Sequence, residues 1–274
     1  MKRLVNEQIT AAPTNKEIHL FVSTVLSHYK KQGRHDLPWR KKTTPYRVLV
    51  SEMMLQQTQV GRVLPKFIVW MKVYPTLTAL GKASFKDLLV LWQGLGYQRR
   101  VKALHLISAM NINIPSTFEA LCALPGVGRY TASALCAFAY DQFGHPLLET
   151  NIRTALIEFF YKEKEEVADT LLYEVLFLLE KNIRVKKIGA RQWYYAFMDY
   201  GAHLKQSGIS HNSKSSSYTK QTSFTGSLRQ LRAQTLFAIL HKTDMPQDNR
   251  IGTVLEQLEK EKFIRKERGR YSIV

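Results

Sequence analysis

The stretch LPGVGRYT, residues 124–131, decides the fold. A short apolar run, 117–122, leads into it, and a longer one, 129–140, grows out of it, both with helical spacing. A proline followed by glycines at alternate positions forces a tight reversal between two helices. Gly126 and Gly128 are expected to adopt backbone geometry that side chains forbid, leaving amide N–H groups at the next helix N-terminus free to hold an anion. Pro125, Gly126, Val127, Gly128, Arg129 and Thr131 are therefore candidate phosphate-binding positions, with an ordinary turn between two helices as the alternative.

Outward from this hairpin the chain reads as helix after helix. Apolar residues recur with helical period over 16–32, 46–63, 64–74, 85–92, 99–110 and 151–161. Breakers fall between them at Pro38, Pro45, Pro75, Gly94, Gly96, Pro115 and Pro146. No alternating run of strand length interrupts residues 1–201, so the expected fold class is all-α with a small appended module. The boundary is set by composition. Residues 202–223, AHLKQSGISHNSKSSSYTKQTS, hold seven serines and three lysines among 22 residues with no acidic group, which predicts a solvated linker. Beyond it, 224–274 predicts two amphipathic helices and a small β-hairpin around 267–269, the order of a winged-helix module, short enough to need docking on the rest.

The chain has 274 residues, 40 Lys and Arg against 22 Asp and Glu, and a formal charge of +18. Such an excess predicts a polyanionic partner, double-stranded DNA first. No run is long and apolar enough for a bilayer, and MKRLVNEQITAAPTNKE at the start lacks the apolar core of a secretory signal, so the expectation is a non-secreted, cytoplasmic protein without a membrane partner. Cys122 and Cys136 are the two cysteines, without metal-ligand spacing, and read as small core residues.

Five motifs in order, LPWRKKTTPYRVLVSEMMLQQTQV (37–60), LWQGLGYQRRVKAL (91–104), LPGVGRYTASAL (124–135), LLETNIRTAL (147–156) and WYYAFMDYGA (193–202), resemble the helix-hairpin-helix DNA glycosylases, and within them the MutY-type adenine glycosylases. The resemblance implies a two-lobed helical fold, a monomer, and base excision from mismatched double-stranded DNA. Cleaving an N-glycosidic bond needs an acid for the departing base, an anion beside the sugar cation and a way to extrude the base. By resemblance, Glu52 is the general acid and Glu149 the stabilising carboxylate. An exposed helix carboxylate and a helix cap are the respective alternatives. Gln56, Gln57 and Tyr97 resemble residues inserted into the duplex, and Arg99, Arg100 and Lys102 are candidate phosphate contacts. Trp39 and Tyr195 are assigned to base recognition. Asp199 resembles a framework aspartate.

The sequence departs from the family in four places. Tyr130 stands where lyase relatives have a catalytic lysine, which implies a monofunctional enzyme. Glu149 replaces an aspartate, and Tyr195 replaces an amide or acid that faces adenine. The four cysteines that hold a [4Fe–4S] cluster in relatives, beginning at Lys205, are missing, so no cofactor is expected; hairpin carbonyls near Cys122–Val127 remain a candidate for a monovalent cation. The tail 224–274 is too short for a Nudix-like domain and reads as a source of nonspecific DNA affinity or as a plain solvated surface. The leading expectation is excision of adenine opposite guanine or 8-oxoguanine. Excision of another base, or an inactive mismatch-binding protein, are the alternatives.

Overall fold

The structure, a computed structural model, describes residues 12–218 and 223–274. Its helices are α1 (Asn15–Gln32), α2 (Pro38–Lys41), α3 (Pro45–Leu55), α4 (Val60–Val73), α5 (Leu77–Gly81), α6 (Phe85–Trp92), α7 (Arg99–Ala109) and α8 (Phe118–Cys122). They continue with α9 (Arg129–Phe138), α10 (Thr150–Phe160), α11 (Asp169–Lys181), α12 (Ile183–Ile188), α13 (Ala190–Gln206), α14 (Leu228–His241) and α15 (Ile251–Lys260). A hairpin of β1 (Ile264–Glu267) and β2 (Arg270–Ile273) closes the chain, paired from Ile264 opposite Ile273 to Glu267 opposite Arg270. The all-α expectation holds, and the helix, helix, hairpin order of the tail is as expected.

Helix starts follow from local chemistry. Thr14, Thr44, Thr76, Ser84 and Ser227 each accept an amide hydrogen bond at an N-terminus, and Thr14 with Glu17 completes a capping box. One break does not fall where expected. The sequence suggested a boundary at 63/64, before Pro65, whereas α4 runs through Pro65 and the chain breaks at 56–59. The cause is Arg100. Its Nη1 donates to the carbonyls of Met53, Met54 and Gln56 at 2.7, 3.0 and 2.6 Å, which ends α3 and lets Gln57 take a φ of 57°.

The expected division at Gly201 is replaced by two discontinuous units. One comprises the chain to His35 with Cys136–Tyr218; the other comprises Asp36–Leu135 with the tail to Val274. α13 crosses Gly201 and continues to Gln206, so the first residues assigned to a linker are helical. Gly201 is packed so closely against the backbone of Asn151 in α10 that no side chain fits. Residues 207–218 are also held. His211 meets Glu158 at 2.5 Å, Ser215 Oγ donates to Asp169 at 2.8 Å, and Asp169 pairs with Arg153 at 2.8 Å. The rest of the proposed linker, 219–222, and the initial stretch 1–11 lie outside the described residues.

The core of the first unit is aromatic: Phe21 lies 5.0 to 5.1 Å from the rings of Phe159, Phe160 and Phe197. That of the second centres on Trp70, edge-on to Trp92 at 5.6 Å, its Nε1 donating to Tyr46 Oη, which in turn donates to the Tyr74 carbonyl. The tail joins this second unit through Phe263, fully buried and 5.5 Å from Phe85 of α6. Among the described residues no helix is long and apolar enough to cross a membrane.

Candidate active site

In the unit 36–135 with the tail, the site grows from α3. Proline at its first position and the Thr44 cap fix its start, and its middle turns face the core, so Glu52 is held at 5% exposure between fully buried neighbours such as Met53. A carboxyl group so placed is not a solvated helix carboxylate, which removes the bland alternative for Glu52. One turn on, Gln56 Nε2 donates to Thr131 Oγ1 at 2.9 Å, tying the end of α3 to the first turn of α9.

The glycine hairpin sits against the same helix. Gly126 has a φ of 69°, and an added Cβ would lie 2.5 Å from that of Ala103 and 3.8 Å from Met53 Cε. Only glycine satisfies both demands. Gly128 differs from the expectation: its φ is not left-handed and an added Cβ meets open space. What Gly128 leaves is room for a group approaching the α9 N-terminus, where the first amides have no intrahelical acceptor. Val127 and Thr131 are buried and Pro125 half-buried, so this stretch offers its main chain rather than those side chains to a ligand. Arg129 is exposed, its guanidinium 5.2 Å over the Phe118 ring. Tyr130 is half-buried in the first turn of α9.

Gln57 and Tyr97 are both exposed and both left-handed, at φ 57° and 45°. Arg100 joins their turns, since its Nη2 donates to Leu95 and Gly96 carbonyls at 2.8 and 3.0 Å. Burial lowers the Arg100 pKa to about 10, which still leaves it charged at neutral pH. Arg100 is thus a framework residue that the sequence reading took for a phosphate contact. Its neighbours are committed too. Arg99 forms a bidentate pair with Glu261 at 2.9 and 2.5 Å, and Lys102 Nζ donates to the carbonyls of Glu261 and Lys262. Trp39 is in the core, edge-on to Phe67 at 5.2 Å, so its assignment to base recognition is corrected.

In the other unit, Glu149 is the N-cap of α10. Its oxygens accept from the amides of Asn151 at 2.8 Å and Ile152 at 2.9 Å. The cap and the catalytic reading coexist, because the two amides fix the carboxyl group at a defined point. Lys205 adds a feature no motif revealed: its Nζ donates to Thr150 Oγ1 at 2.8 Å beside Glu149, with burial lowering its pKa and Glu149 opposing that shift. Asp199 accepts from Arg34 N and Nε at 2.8 and 2.6 Å, the framework role expected. Tyr195, assigned to base recognition, is 6% exposed, and one face of its ring stacks on Phe138 at 4.5 Å.

The residues do not fit a [4Fe–4S] cluster, which needs four thiolates. The chain has two cysteines, Cys136 buried in one unit and Cys122 half-buried in the other. Among the described residues no three His, Cys, Asp or Glu side chains converge as metal ligands.

A glycine hairpin and a buried carboxylate held on one helical framework define a helix-hairpin-helix protein. Residues 50–244 match the HhH-GPD superfamily of base excision DNA repair proteins, and the chain belongs to that family. It is similar to the adenine DNA glycosylase of Buchnera aphidicola subsp. Schizaphis graminum, 32% identical over 194 residues, 68% of this chain and 54% of that one. The adenine DNA glycosylase of Mycobacterium tuberculosis is 43% identical over 141 residues, 49% and 46% of the two chains. The chain spans about half the length of these curated relatives. In fold it is similar to a thermostable thymine-DNA glycosylase, with a TM-score of 0.57 at 23% identity over 69% of this chain and 87% of that one.

Proposed function

We propose that the protein is a monofunctional DNA glycosylase that removes adenine mispaired with guanine or 8-oxoguanine, working without an iron–sulfur cluster. The observation that carries this reading is Glu52, buried on a helix whose end is hydrogen-bonded to the hairpin helix. The relatives' names supply the base. Glu52 gives its proton to a ring nitrogen of the extruded adenine, and the bond between C1′ and the base breaks with its electron pair leaving on the base. Glu149, fixed by two amides, stabilises the positive charge left on the sugar. Water attacks C1′, and the proton it loses restores the acid, leaving an abasic site. Tyr130 carries no amine for a Schiff base, so strand cleavage by β-elimination does not follow. The hairpin amides hold a phosphate and the +18 charge supplies the remaining attraction to the duplex.

Single-turnover excision on duplexes carrying A opposite 8-oxoguanine, A opposite G, T opposite G, U opposite G and hypoxanthine opposite T tests the proposal. Cleavage confined to the adenine strands supports it. A second reading, excision of another base, draws on Tyr195, which lacks the amide of the relatives and has one ring face stacked on Phe138. Cleavage on the thymine, uracil or hypoxanthine strands would establish that reading instead.

A further inference from the structure

Lys205 stands on α13 at the position where the resemblance expects the first cluster cysteine, and its ammonium is turned toward the start of α10. It lies one turn beyond Gly201, the residue whose missing side chain lets α13 close on the Asn151 backbone, so both face the same end of α10. Its Nζ donates to Thr150 Oγ1 at 2.8 Å, and Thr150 Oγ1 lies 3.2 Å from Glu149 Oε2. An ammonium has no lone pair to offer, so the hydroxyl accepts from Lys205 and directs its own proton to the carboxylate. The order of the relay is thereby set, from cation to hydroxyl to Oε2.

The neighbouring charges leave this cation to Glu149. Arg153, on the first turn of α10, is paired with Asp169 through hydrogen bonds of 3.2 and 2.8 Å, and Ser215 Oγ holds the same carboxylate. Burial disfavours the Lys205 ammonium, Glu149 favours it and Arg153 disfavours it. A glutamate has one more rotatable bond than the aspartate expected at 149, and so needs more contacts to stay in one place. The Asn151 amide and the Thr150 hydroxyl fill the lone pairs of Oε2, while Oε1 accepts from Ile152 N and keeps a second lone pair for a cation. A structural tie alone has little to add here, since Gly201 already seats α13 on α10. We propose that Lys205, acting through the Thr150 hydroxyl, is a positioning residue that holds the longer Glu149 carboxylate in its working place beside C1′ of the substrate. The inference rests on the proposed function for the role of Glu149.

The test uses the full chain with Lys205→Met, Thr150→Val and the double substitution. Single-turnover excision of adenine opposite 8-oxoguanine is expected to slow about tenfold in each single variant, the scale of one charge-assisted hydrogen bond lost at a reacting centre. The double variant is expected to be no slower than the singles, because both break one relay. The dissociation constant for a duplex carrying a non-hydrolysable adenosine analogue should stay within about twofold of wild type. Thr150 is exposed, so should Lys205→Met melt lower than wild type, the rate of Thr150→Val decides. Single variants as fast as wild type, or losses that multiply in the double variant, would overturn the proposal. So would weaker duplex binding at an unchanged rate, the signature of a phosphate contact. Borohydride trapping of wild type on its DNA product, lost in Lys205→Met, would replace the positioning role with that of an amine nucleophile. Wild type that excises another base, with the same loss in both variants, would keep the role of Lys205 and sink the assignment of adenine; wild type that excises from no duplex would sink the proposed function and this role with it.

Discussion

Alanine at Gly126 and alanine at Gly128 are expected to have different consequences. The first places a Cβ in a left-handed conformation and against Ala103, and destabilises the protein by about 2 kcal/mol or more in urea denaturation. The second meets open space, so stability stays within about 0.5 kcal/mol, while affinity for DNA falls because the added methyl occupies the approach to the α9 amides. Glu52→Gln removes the acid but keeps a side chain of the same shape, and is expected to abolish excision while duplex binding persists. Glu149→Gln keeps a capping oxygen and loses the charge; excision should drop by about 10²-fold with little change in melting temperature. At this scale the sequence showed residue types and not their surroundings. The hairpin was legible because local spacing defines it, while Glu52 and Glu149 were singled out only by the resemblance of the motifs that hold them. Trp39 and Tyr195 were not, since their burial is set by Phe67 and Phe138, 28 and 57 residues away in sequence (67 − 39 and 195 − 138).

Elements show the same division. Most helix limits followed from prolines, glycines and hydroxyl caps, but the break at 56–59 was hidden because the group that makes it, Arg100, arrives from 44 residues downstream. Arg100→Met would take the guanidinium donor from the carbonyls of Met53, Met54, Gln56, Leu95 and Gly96, of which Gly96 keeps Trp92 Nε1, and is expected to cost at least about 3 kcal/mol of stability, measured by denaturant unfolding. Two carboxylates have opposite signatures in pH. Burial pushes the Glu180 carboxyl above its ordinary range, outweighing the hydrogen bonds from Tyr194 and the Gly144 amide. The folded state therefore binds its proton more tightly than the unfolded chain. Its contribution is full below the unfolded pKa and falls as pH rises through the ordinary carboxylate range. Glu180→Gln is expected to flatten the decline in melting temperature from about pH 4 upward. Glu261 goes the other way: the hydrogen bond from Arg99, with Arg232 beside it, holds its carboxyl below the usual range. That contribution is present above the unfolded value and lost as pH falls through the folded one, and amide exchange in α14 should accelerate in Glu261→Gln.

For the whole molecule, the charge of +18 makes binding to any duplex dependent on salt. With about six phosphates neutralised, affinity should fall roughly 10³-fold between about 50 and 200 mM salt, and a flat response would contradict the assigned partner. The class of fold and the presence of a separate tail were legible from composition and periodicity. How the tail belongs to the molecule was not, because Phe263 and Glu261 read as an ordinary amphipathic surface until Phe85, Arg99 and Lys102, which they meet in α6 and α7, are in view.

On the proposed function, the single guanidinium that joins the turns of Gln57 and Tyr97 bears on how quickly such an enzyme would search DNA. Left-handed backbone at two exposed positions is costly to order, and Arg100 has already ordered it by the time the chain is folded. The probing surface is therefore preorganised. Each trial against a passing base pair needs no loop closure of its own, so scanning can proceed at the speed of sliding and hopping rather than of loop rearrangement.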